Sequence, residues 1–303
     1  MRDCLRLCFS DMTIELRHLR AFLAIAEEGN VTRAAARLHL SQPALSRTLR
    51  QIEEHFGARL VDRSTHHLQL TAEGRTFRDK ALAALSAVET ALDPRGLKSW
   101  PLRLGHPWAA LGDHTVPLLR RWDETHPGTP LELLRIDDRT AGLTQGKVDA
   151  ALLRGEVTAR GLRTELLMSE ERVVVMPADS PLAALPRVTL ADLAAHPIAL
   201  NTVSGTTTMD LWPPTARPVA AIEVTNTDEW LIAIAAGRAV GISTSATPSH
   251  HTHPSLVFRP LADAPAIPVV LAWREGLGHP AIPNLVALVH QVIAADGAGR
   301  PTG

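Results

Sequence analysis

The segment SQPALSRTLRQIE at residues 41–53 constrains the fold of this chain more than any other feature. Ser41 is a favourable helix N-cap, and Pro43 falls in the first helical turn, where its missing N–H costs no hydrogen bond. These signals predict a helix that runs from Gln42 to about residue 55. Its apolar residues recur at spacings of four and three, so they form one buried stripe: Leu45, Leu49 and Ile52.

Two shorter helical patterns precede this segment. Residues 15–28 place their apolar side chains on one face, and Gly29 is suited to end that helix in a left-handed conformation. Asn30 can cap the next helix, in which the small side chains of Ala34 and Ala35 allow close contact with a neighbour. The succession of helix, short break and capped helix predicts a helix-turn-helix.

The polar face of the third helix suits DNA recognition. The second helix of a helix-turn-helix enters the major groove by its N-terminal residues. There a Gln side chain pairs with adenine and an Arg side chain pairs with guanine, whereas groups at the start of the preceding helix bind phosphate oxygens. The side chains that we expect at the DNA are Thr32, Arg33, Ser41, Gln42, Ser46, Arg47, Arg50 and Arg63.

The residues after the third helix predict a wing. Two short strand-like runs, 60–63 and 68–70, surround a polar loop whose tip carries Arg63, His66 and His67. A wing in this position can reach the DNA backbone or the minor groove. A plain helical subdomain with a solvated basic face is the alternative. DNA binding is favoured because the Ala34-Ala35 pair, the run SQPALS at 41–46 and the wing follow one another in this order.

A long helix over about 72–92 follows, with Thr71 as its cap. Its apolar residues step by four, four, three and four as in a coiled coil, which predicts a dimer seam. The sequence DPRG at 93–96 ends the helix as a hinge. The residues of the predicted seam are Phe77, Ala81, Leu85, Val88 and Leu92.

Charge is distributed unevenly along the chain. Residues 30–63 contain six Arg and three acidic residues, a balance of +3, whereas residues 96–303 contain 17 basic and 20 acidic residues, a balance of −3. The formal charge of −1 for all 303 residues therefore hides one basic segment. Because a single copy offers only a small positive charge, tight DNA binding is expected to need several copies.

The remainder of the chain alternates between strand and helix signals. Helices are expected at about 114–125, 228–236 and 280–294. This alternation favours mainly parallel sheets with helices on both faces, arranged as one domain or as two lobes. The expected strands are 102–105, 131–136, 149–154, 172–176, 198–200, 221–224, 240–243, 256–260 and 268–273.

In open α/β sheets, ligands bind beyond the carboxyl ends of the strands. That position selects the stretches 106–108, 137–140, 201–208 and 225–228. The run NTVSGTTT at 201–208 is rich in hydroxyl groups and suits a carboxylate or phosphate, with Arg154 as a countercharge; an ordinary polar loop is the alternative. The candidate effector-binding residues are His106, Trp108, Thr140, Arg154, Asn201, Ser204, Thr206 and Asn226.

Other functions find little support in the sequence. The three histidines of SHHTHP (249–254) lack the helical spacing of a metal pair, so we interpret them as a solvated loop and expect no metal. No nucleophile, paired-carboxylate or phosphate-loop motif is present, so we expect no catalytic residues, no cofactor and no enzymatic activity. The sequence shows neither a secretory signal nor a membrane-spanning apolar run, which predicts a cytoplasmic protein.

Residues 16–74, and above all the run at 41–53, resemble the LysR-type transcriptional regulators. The resemblance implies a winged helix-turn-helix, a dimerising linker helix and a two-lobed α/β effector domain like the periplasmic binding proteins. It also implies dimers that often assemble to tetramers on bent DNA, with a small ligand between the lobes; RNA polymerase is a further candidate partner. The residues that it places at the DNA are those matching Gln42, Pro43, Ser46, Arg47 and Arg50.

The resemblance also divides the chain. We expect crossings between the two lobes near 165–170 and 262–267, so that lobe I takes in about 96–166 and 267–296, and lobe II about 167–266. The expected segments are a disordered extension (1–11), the DNA-binding domain (12–71), the linker helix and hinge (72–95), the effector domain (96–296) and a tail (297–303).

The predicted function is that of a sequence-specific DNA-binding transcriptional regulator, controlled by a small-molecule effector that binds between the lobes. A constitutive regulator without a ligand and a small-molecule enzyme are the alternatives. Residues 106–108 read His-Pro-Trp, where the family often carries Ser or Thr, and a Trp and a His in the cleft favour an aromatic or flat ligand. Together with the hydroxyl-rich loop at 201–208, this predicts an anion or an aromatic acid as the effector.

Overall fold

The structure is a computed structural model that describes residues 14–62, 68–92, 99–276 and 278–297. The chain divides near residue 94 into two compact units. Several predictions fall outside the described residues, namely those for the extension (1–11), the wing tip (Arg63, His66 and His67), the hinge (93–96) and most of the tail.

Within the described residues, the N-terminal unit holds three short helices, a two-stranded wing and a longer helix. Strands β1 (Val61–Asp62) and β2 (Gln69–Leu70) pair in antiparallel fashion. This arrangement confirms the predicted winged helix-turn-helix and the helix that follows it. The helices are α1 (Leu16–Glu28), α2 (Val31–Arg37), α3 (Gln42–Phe56) and α4 (Ala72–Leu92).

The helix ends follow the local signals of the sequence. Gly29 closes α1 with a φ of 57°, a left-handed conformation that glycine adopts readily. The Oδ1 atom of Asn30 accepts hydrogen bonds from the backbone N–H groups of Thr32, at 2.8 Å, and Arg33, at 3.1 Å, in the first turn of α2. Ser41 caps α3 by accepting from the N–H of Ala44 at 3.4 Å. These residues fix where α1 ends and where α2 and α3 begin.

The buried stripe of α3 sets the orientation of that helix. Leu45, Leu49 and Ile52 are fully buried in the core of the unit, as predicted. Gly74 lets α4 approach the wing, because a Cβ atom there would lie 2.0 Å from the backbone oxygen of Leu60. With its apolar stripe fixed inside, α3 turns its polar face outward.

The described part of the C-terminal unit contains two five-stranded sheets and the helices that pack on them. Its helices are α5 (Thr115–Thr125), α6 (Leu190–Leu193), α7 (Thr227–Ala235), α8 (Thr247–His250) and α9 (Ile282–Gly297). The strands are β3 (Leu102–His106), β4 (Leu131–Arg135), β5 (Ala150–Arg154), β6 (Leu162–Glu170), β7 (Arg172–Pro177), β8 (Ile198–Asn201), β9 (Ala221–Val224), β10 (Val240–Thr244), β11 (Leu256–Pro260) and β12 (Ile267–Arg274).

The first sheet has the order β4-β3-β5-β12-β6 and the second the order β11-β7-β10-β8-β9. We call the parts built on these sheets lobe I and lobe II. Separate apolar clusters fill the two lobes. The predicted two-lobed α/β fold is thus confirmed.

The prediction of mainly parallel sheets was wrong, because each sheet is half parallel and half antiparallel. Strand β3 runs parallel to β4 and β5, and β8 runs parallel to β9 and β10. The antiparallel pairs all involve β12 or β7. Each of these two strands directly follows a crossing between the lobes. It is therefore not preceded by the helix that, in a β-α-β unit, brings the chain back to start a parallel strand.

Strand β6 was not predicted at all. Its sequence LRTELLMSE mixes polar and apolar residues and is only partly buried, so it lacks the apolar run that marked the other strands. Because β6 lies in lobe I and β7 begins at Arg172, the chain first crosses at residue 171, slightly later than expected. The second crossing lies at residues 261–266, between β11 and β12.

Candidate functional site

One face of α3 presents polar side chains that are little engaged within the protein. Gln42, Arg47 and Arg50 are exposed and Ser46 is partly exposed. The Nε2 atom of Gln42 donates to Ser46 Oγ at 3.0 Å, and Arg47 Nε donates to the carbonyl of Pro43 at 3.5 Å. Arg50 has no hydrogen-bond partner among the residues that the structure describes. These side chains can exchange water for base edges or phosphates without breaking the fold.

The start of α2 holds the two side chains that were expected at phosphates. Thr32 and Arg33 are both exposed. The guanidinium of Arg33 donates to the carbonyl of Glu28, and its Nε lies 3.7 Å from the Glu28 carboxylate. Arg33 would therefore have to leave or share Glu28 when it binds a phosphate. The wing residue Arg63 lies outside the described residues.

The same surface of α3 includes two residues that the sequence analysis did not select. Thr48 and Gln51 line a shallow concavity beside the exposed arginines. The Thr48 hydroxyl donates to the carbonyl of Ala44 at 3.2 Å, whereas Gln51 is exposed. Gln51 could have been found from its place one residue after Arg50, on the helix face opposite the buried stripe.

The predicted dimer seam of α4 divides into an occupied part and an open part. Phe77 packs edge-on against Phe22, with 4.8 Å between the ring centres, and Ala81 is buried in the same core. Both side chains are thus used within their own unit, which the spacing alone did not show. Leu85 is partly buried and packs against the same core, so the open part consists of Val88, which is partly buried, and Leu92, which is 75% exposed.

In the C-terminal unit, a small cavity lies at the carboxyl ends of β8 and β10, between the two lobes. Its volume is about 40 Å³, which leaves room for a few water molecules. Ligand pockets usually measure roughly 300–1,000 Å³, so a larger molecule requires the lobes to part. Trp108 lines it from lobe I. The lobe II residues around it are Ala199, Asn201, Gly205, Thr206, Thr207, Thr227, Trp230, Ile242, Ser243 and Thr247.

Trp108 links the lobes across this cavity. Its Nε1 donates to the carbonyl of Ser204 at 3.3 Å, and nearby Arg139 Nη2 donates to the carbonyl of Thr202 at 3.2 Å. The two alanines after Trp108 have φ values of 51° and 35°, which residues with a Cβ rarely adopt. Two hydrogen bonds thus join the lobes here, and the loop that carries Trp108 is strained.

The hydroxyl-rich loop at 201–208 is held mainly by its own hydrogen bonds. Asn201 Oδ1 accepts from the N–H groups of Val203 and Ser204, both at 3.0 Å, and Asn201 Nδ2 donates to Ser204 Oγ at 3.0 Å. Asn201 and Ser204 therefore position the loop. Thr206 lines the cavity, and its hydroxyl has no hydrogen-bond partner among the described residues.

Two further candidates serve local structure. Thr140 bonds to the carboxylate of Asp138 through its N–H, at 2.8 Å, and its hydroxyl, at 2.6 Å. Asn226 caps α7 by accepting from the N–H of Glu229 at 2.9 Å. Neither residue lines the cavity.

Arg154 is not the open countercharge that the sequence suggested. Its Nε and Nη2 donate to both carboxylate oxygens of Glu170, at 2.8 and 2.7 Å, and the two side chains are 1% and 5% exposed. Its Nη1 donates to the carbonyls of Trp108 and Ala110, and the guanidinium lies 4.5 Å from the centre of the Trp108 ring. Four of the five guanidinium N–H donors are thus used inside the protein. Glu170 ends β6, the strand that the sequence did not reveal.

His106 ends β3 at the edge of the cleft. Its Nδ1 is buried without a hydrogen-bond partner among the described residues. Burial, together with the positive charges of Arg135 and Arg154, lowers the pKa of His106 to about 4. Arg135 in turn lies 3.5 Å from Asp137 and 3.8 Å from Asp228 of lobe II. The ring of His106 is therefore neutral near pH 7, beside an ion pair that joins the lobes.

Several cavity residues that sequence reasoning missed come from α7, β10 and α8. Trp230 packs against Gly241, where a Cβ atom would fall 2.1 Å from the ring, and its Nε1 donates to the carbonyl of Ala199 at 2.9 Å. Ser243 and Thr247 share a hydrogen bond of 2.6 Å. Ser243 follows the same rule of strand ends that selected the other stretches, and that rule was not applied to β10.

Histidines 250, 251 and 253 lie at the end of α8 and just beyond it. Burial, followed by the charge of Arg135, lowers the pKa of His251. The described part of the chain contains no group of three or more His, Cys, Asp or Glu that could hold a metal ion. None of its helices combines the length and apolar character needed to cross a membrane.

Known protein families match both units of the chain. The family described as "Bacterial regulatory helix-turn-helix protein, lysR family" matches residues 16–75. The family described as "LysR substrate binding domain" matches residues 95–294.

Curated relatives agree with these matches. The Hca operon transcriptional activator HcaR of Escherichia coli is 30% identical over 93% of this chain and 99% of its own length. The transcriptional regulator BenM of Acinetobacter baylyi is 28% identical over 95% and 99%. The uncharacterized regulator YnfL of Escherichia coli is 37% identical, but that match spans 61% of this chain and 65% of YnfL.

Solved structures show the same fold. Full-length BenM matches with a TM-score of 0.55 at 27% identity, covering 96% of this chain and all of that one. CbnR, described as a LysR family transcriptional regulator, matches with a TM-score of 0.60 at 22% identity and covers 92% of this chain and 99% of its own. The CbnR likeness bears on the fold alone.

Proposed function

Because the chain belongs to the LysR family of DNA-binding transcriptional regulators with an effector-binding domain, we propose that α3 reads one half of an inverted-repeat promoter site. A small molecule bound between lobes I and II controls the DNA-bound state. The observation that carries this proposal is the face of α3, whose polar side chains are exposed while its apolar stripe is fully buried.

On this proposal, Gln42, Arg47 and Arg50 contact base edges in the major groove, with Ser46 beside them. Thr32 and Arg33 contact phosphates and hold the register, as does Arg63 of the wing. Ser41 and Pro43 shape the start of α3 at the DNA. Gln51 joins this set because it is exposed in the same concavity.

The regulator acts as a homodimer, and dimers pair to tetramers on DNA. The open part of α4, with Val88 and Leu92, provides apolar side chains for the dimer seam. Two or more readers multiply the small positive charge of each copy and match the symmetry of an inverted repeat. RNA polymerase is a further partner if the protein activates transcription, as its relative HcaR does by name.

The effector is an anion or an aromatic acid that enters when the lobes part. Trp108 and Trp230 offer flat apolar surfaces, and Thr206 offers a free hydroxyl. A ligand that binds the closed arrangement more tightly shifts the population toward it. The protein works in the cytoplasm and turns over neither the effector nor another substrate.

The experiment compares DNA binding by wild type and by Arg47→Ala/Arg50→Ala. DNA selected by the wild-type protein from a random library serves as the probe in gel-shift assays. We expect the double variant to lose the specific complex, because two exposed base-reading side chains are gone. Arg121→Ala and Arg120→Ala on α5 form the matched control, since they remove the same charge from an exposed helix of the other unit. Retained specific binding by the double variant would contradict the proposal.

A further inference from the structure

Trp108 differs from the other buried tryptophans of the C-terminal unit. Trp122, Trp212 and Trp230 belong to the apolar cores of their lobes. Trp108 is only 7% exposed, yet it belongs to none of the apolar clusters that the described residues of the two lobes form. It is buried instead in the cleft between the lobes, where it lines the small cavity. Neither lobe therefore uses this indole to fill its core.

The indole of Trp108 is held in the cleft as a flat ligand would be held. From lobe I, the guanidinium of Arg154 lies 4.5 Å from the centre of the ring, within the range of a cation–π contact. From lobe II, the carbonyl of Ser204 accepts a hydrogen bond from Nε1 at 3.3 Å. The cavity that remains beside the ring measures about 40 Å³, so a second molecule of the size of an indole does not fit there.

The loop that carries Trp108 is kept in an unfavourable conformation. Ala109 and Ala110 have φ values of 51° and 35°, a region that residues with a Cβ atom rarely adopt. Arg154 Nη1 holds the loop in this form by donating to the carbonyls of Trp108, at 3.2 Å, and Ala110, at 2.9 Å. Backbone strain persists only where the surrounding contacts impose it, and it is common in switch regions. Once the contacts of the indole are broken, the strain favours another conformation of the loop.

We propose that Trp108 acts as an internal ligand: its indole occupies the cleft and holds lobes I and II together in the effector-free protein. This inference rests on the proposed effector function of the cleft and concerns its regulation, namely what an effector has to displace. A molecule that closes the lobes around itself must first move the indole, because the cavity beside the ring is too small. The apparent affinity for any such molecule is therefore reduced by the fraction of the protein in which Trp108 occupies the cleft.

The test removes the indole and replaces it with a free molecule. Trp108→Ala leaves a space of the shape of the lost ring, and enclosed apolar spaces of this kind bind small aromatic molecules. Indole is the probe, and titration calorimetry on the full chain without DNA measures its binding. We expect Trp108→Ala to bind indole at least about tenfold more tightly than wild type, whose own side chain competes for the same space. Equal binding by the two proteins, or no binding by the folded variant, would overturn the proposal.

Hydrogen exchange then measures whether the indole also holds the lobes together. Segments 106–112 of lobe I and 201–208 of lobe II contain Trp108 and Ser204, the two residues that are hydrogen-bonded across the cleft. The backbone amides of both segments should exchange faster in Trp108→Ala than in wild type, and saturating indole should restore their protection. A side chain that only filled space in lobe I would change segment 106–112 alone. Unchanged exchange at 201–208 would therefore contradict the proposal.

Two further variants complete the test. Trp100→Ala is the matched control, because it removes an indole that is 50% exposed; it should bind indole no better than wild type and leave exchange at 201–208 unchanged. Trp108→Phe keeps a ring but loses the N–H donor to Ser204, so its exchange at 201–208 should lie between those of wild type and Trp108→Ala. If Trp108→Ala does not fold, Trp108→Phe decides, and exchange as in wild type would then overturn the proposal.

The outcome is separable from that of the proposed function, because these measurements contain no DNA. Failure here would show only that the cleft is not occupied by the chain itself, and it would leave base reading by α3 and an effector between the lobes standing. Failure of the gel-shift assay would leave the role of Trp108 standing.

Discussion

Arginines on α3 and arginines at the crossing between the lobes illustrate two uses of the same side chain. Arg47 and Arg50 are exposed and have at most one weak contact within the protein. Arg154 and Arg172 are buried, and their guanidinium groups are hydrogen-bonded inside the C-terminal unit. The exposed pair is available to an external partner, whereas the buried pair already forms hydrogen bonds with other residues of the C-terminal unit.

The difference shows that burial and pairing, more than residue type, decide whether a charge can bind a ligand. An exposed arginine loses little on binding DNA. Water hydrates its guanidinium group in the free protein, and a phosphate or a base edge takes the place of that water in the complex. A buried arginine with a carboxylate partner, such as Arg154, is neutralised already. A buried arginine without one, such as Arg172, relies on neutral acceptors, namely the carbonyl of Pro265 and the hydroxyl of Thr207.

Breaking the buried pair gives the largest expected effect. Arg154→Met leaves the Glu170 carboxylate buried without a counterion, which should lower the free energy of unfolding of the C-terminal unit by about 3–5 kcal/mol. Urea unfolding followed by tryptophan fluorescence measures this loss. Arg154→Met combined with Glu170→Met removes both charges and should regain most of the stability. A loss below about 1 kcal/mol in the single variant would show that the pair is not desolvated as its burial indicates.

The predicted seam of α4 offers the same contrast for apolar side chains, because Phe77 and Ala81 pack within their own unit whereas Leu92 is open to a partner. Leu92 is exposed, so Leu92→Asp should leave the fold of one copy intact but weaken the dimer by about 1.5–3 kcal/mol if a partner buries that side chain. Light scattering across a dilution series measures the dimer constant. Ala87→Asp, at an exposed position of the same helix on a different face from the seam, is the control. An unchanged dimer constant for Leu92→Asp would move the interface elsewhere.

The smallest effect concerns the pH dependence of stability. The pKa of His106 is lowered to about 4 by burial and by Arg135, Arg154 and His250, compared with 6.5 for a free histidine. The unfolded chain therefore binds a proton more readily between these two values, and stability should fall as the pH drops from about 6.5 toward 4.

His106→Gln removes this contribution. The urea midpoint of the variant should fall less between pH 7 and pH 5 than that of wild type. His253→Gln, at an exposed histidine, is the control and should keep the wild-type pH dependence. If wild type and His106→Gln lose stability equally over this range, the neutral buried state of His106 is wrong.

The sequence predicted the N-terminal unit far better than the cleft. Caps at Asn30 and Ser41, the terminating Gly29 and the stripe of α3 are local signals, and each lies within a few residues of the structure it specifies. The contact of Phe77 with Phe22 was not predicted, because Phe22 is far away in the chain and the spacing within α4 cannot reveal it.

The cleft depends on pairings across the sheets. Arg154 was expected to face a ligand because its partner Glu170 lies on β6, whose mixed sequence gave no strand signal. Conversely, Arg172 drew no attention in the sequence, because only the three-dimensional structure shows that it is buried beside Thr207 and Thr244. Rules about strand ends located the region of the cavity but not the state of its charges.

The central claim is that the exposed arginines of α3 read DNA sequence, and binding of Arg47→Ala to two DNAs tests it most directly. Fluorescence anisotropy would compare a duplex selected by wild type with a scrambled duplex of the same composition, at one salt concentration. The prediction is a loss of about 1–3 kcal/mol on the selected duplex and a much smaller loss on the scrambled one. An equal loss on both duplexes, or none on either, would contradict base reading by α3.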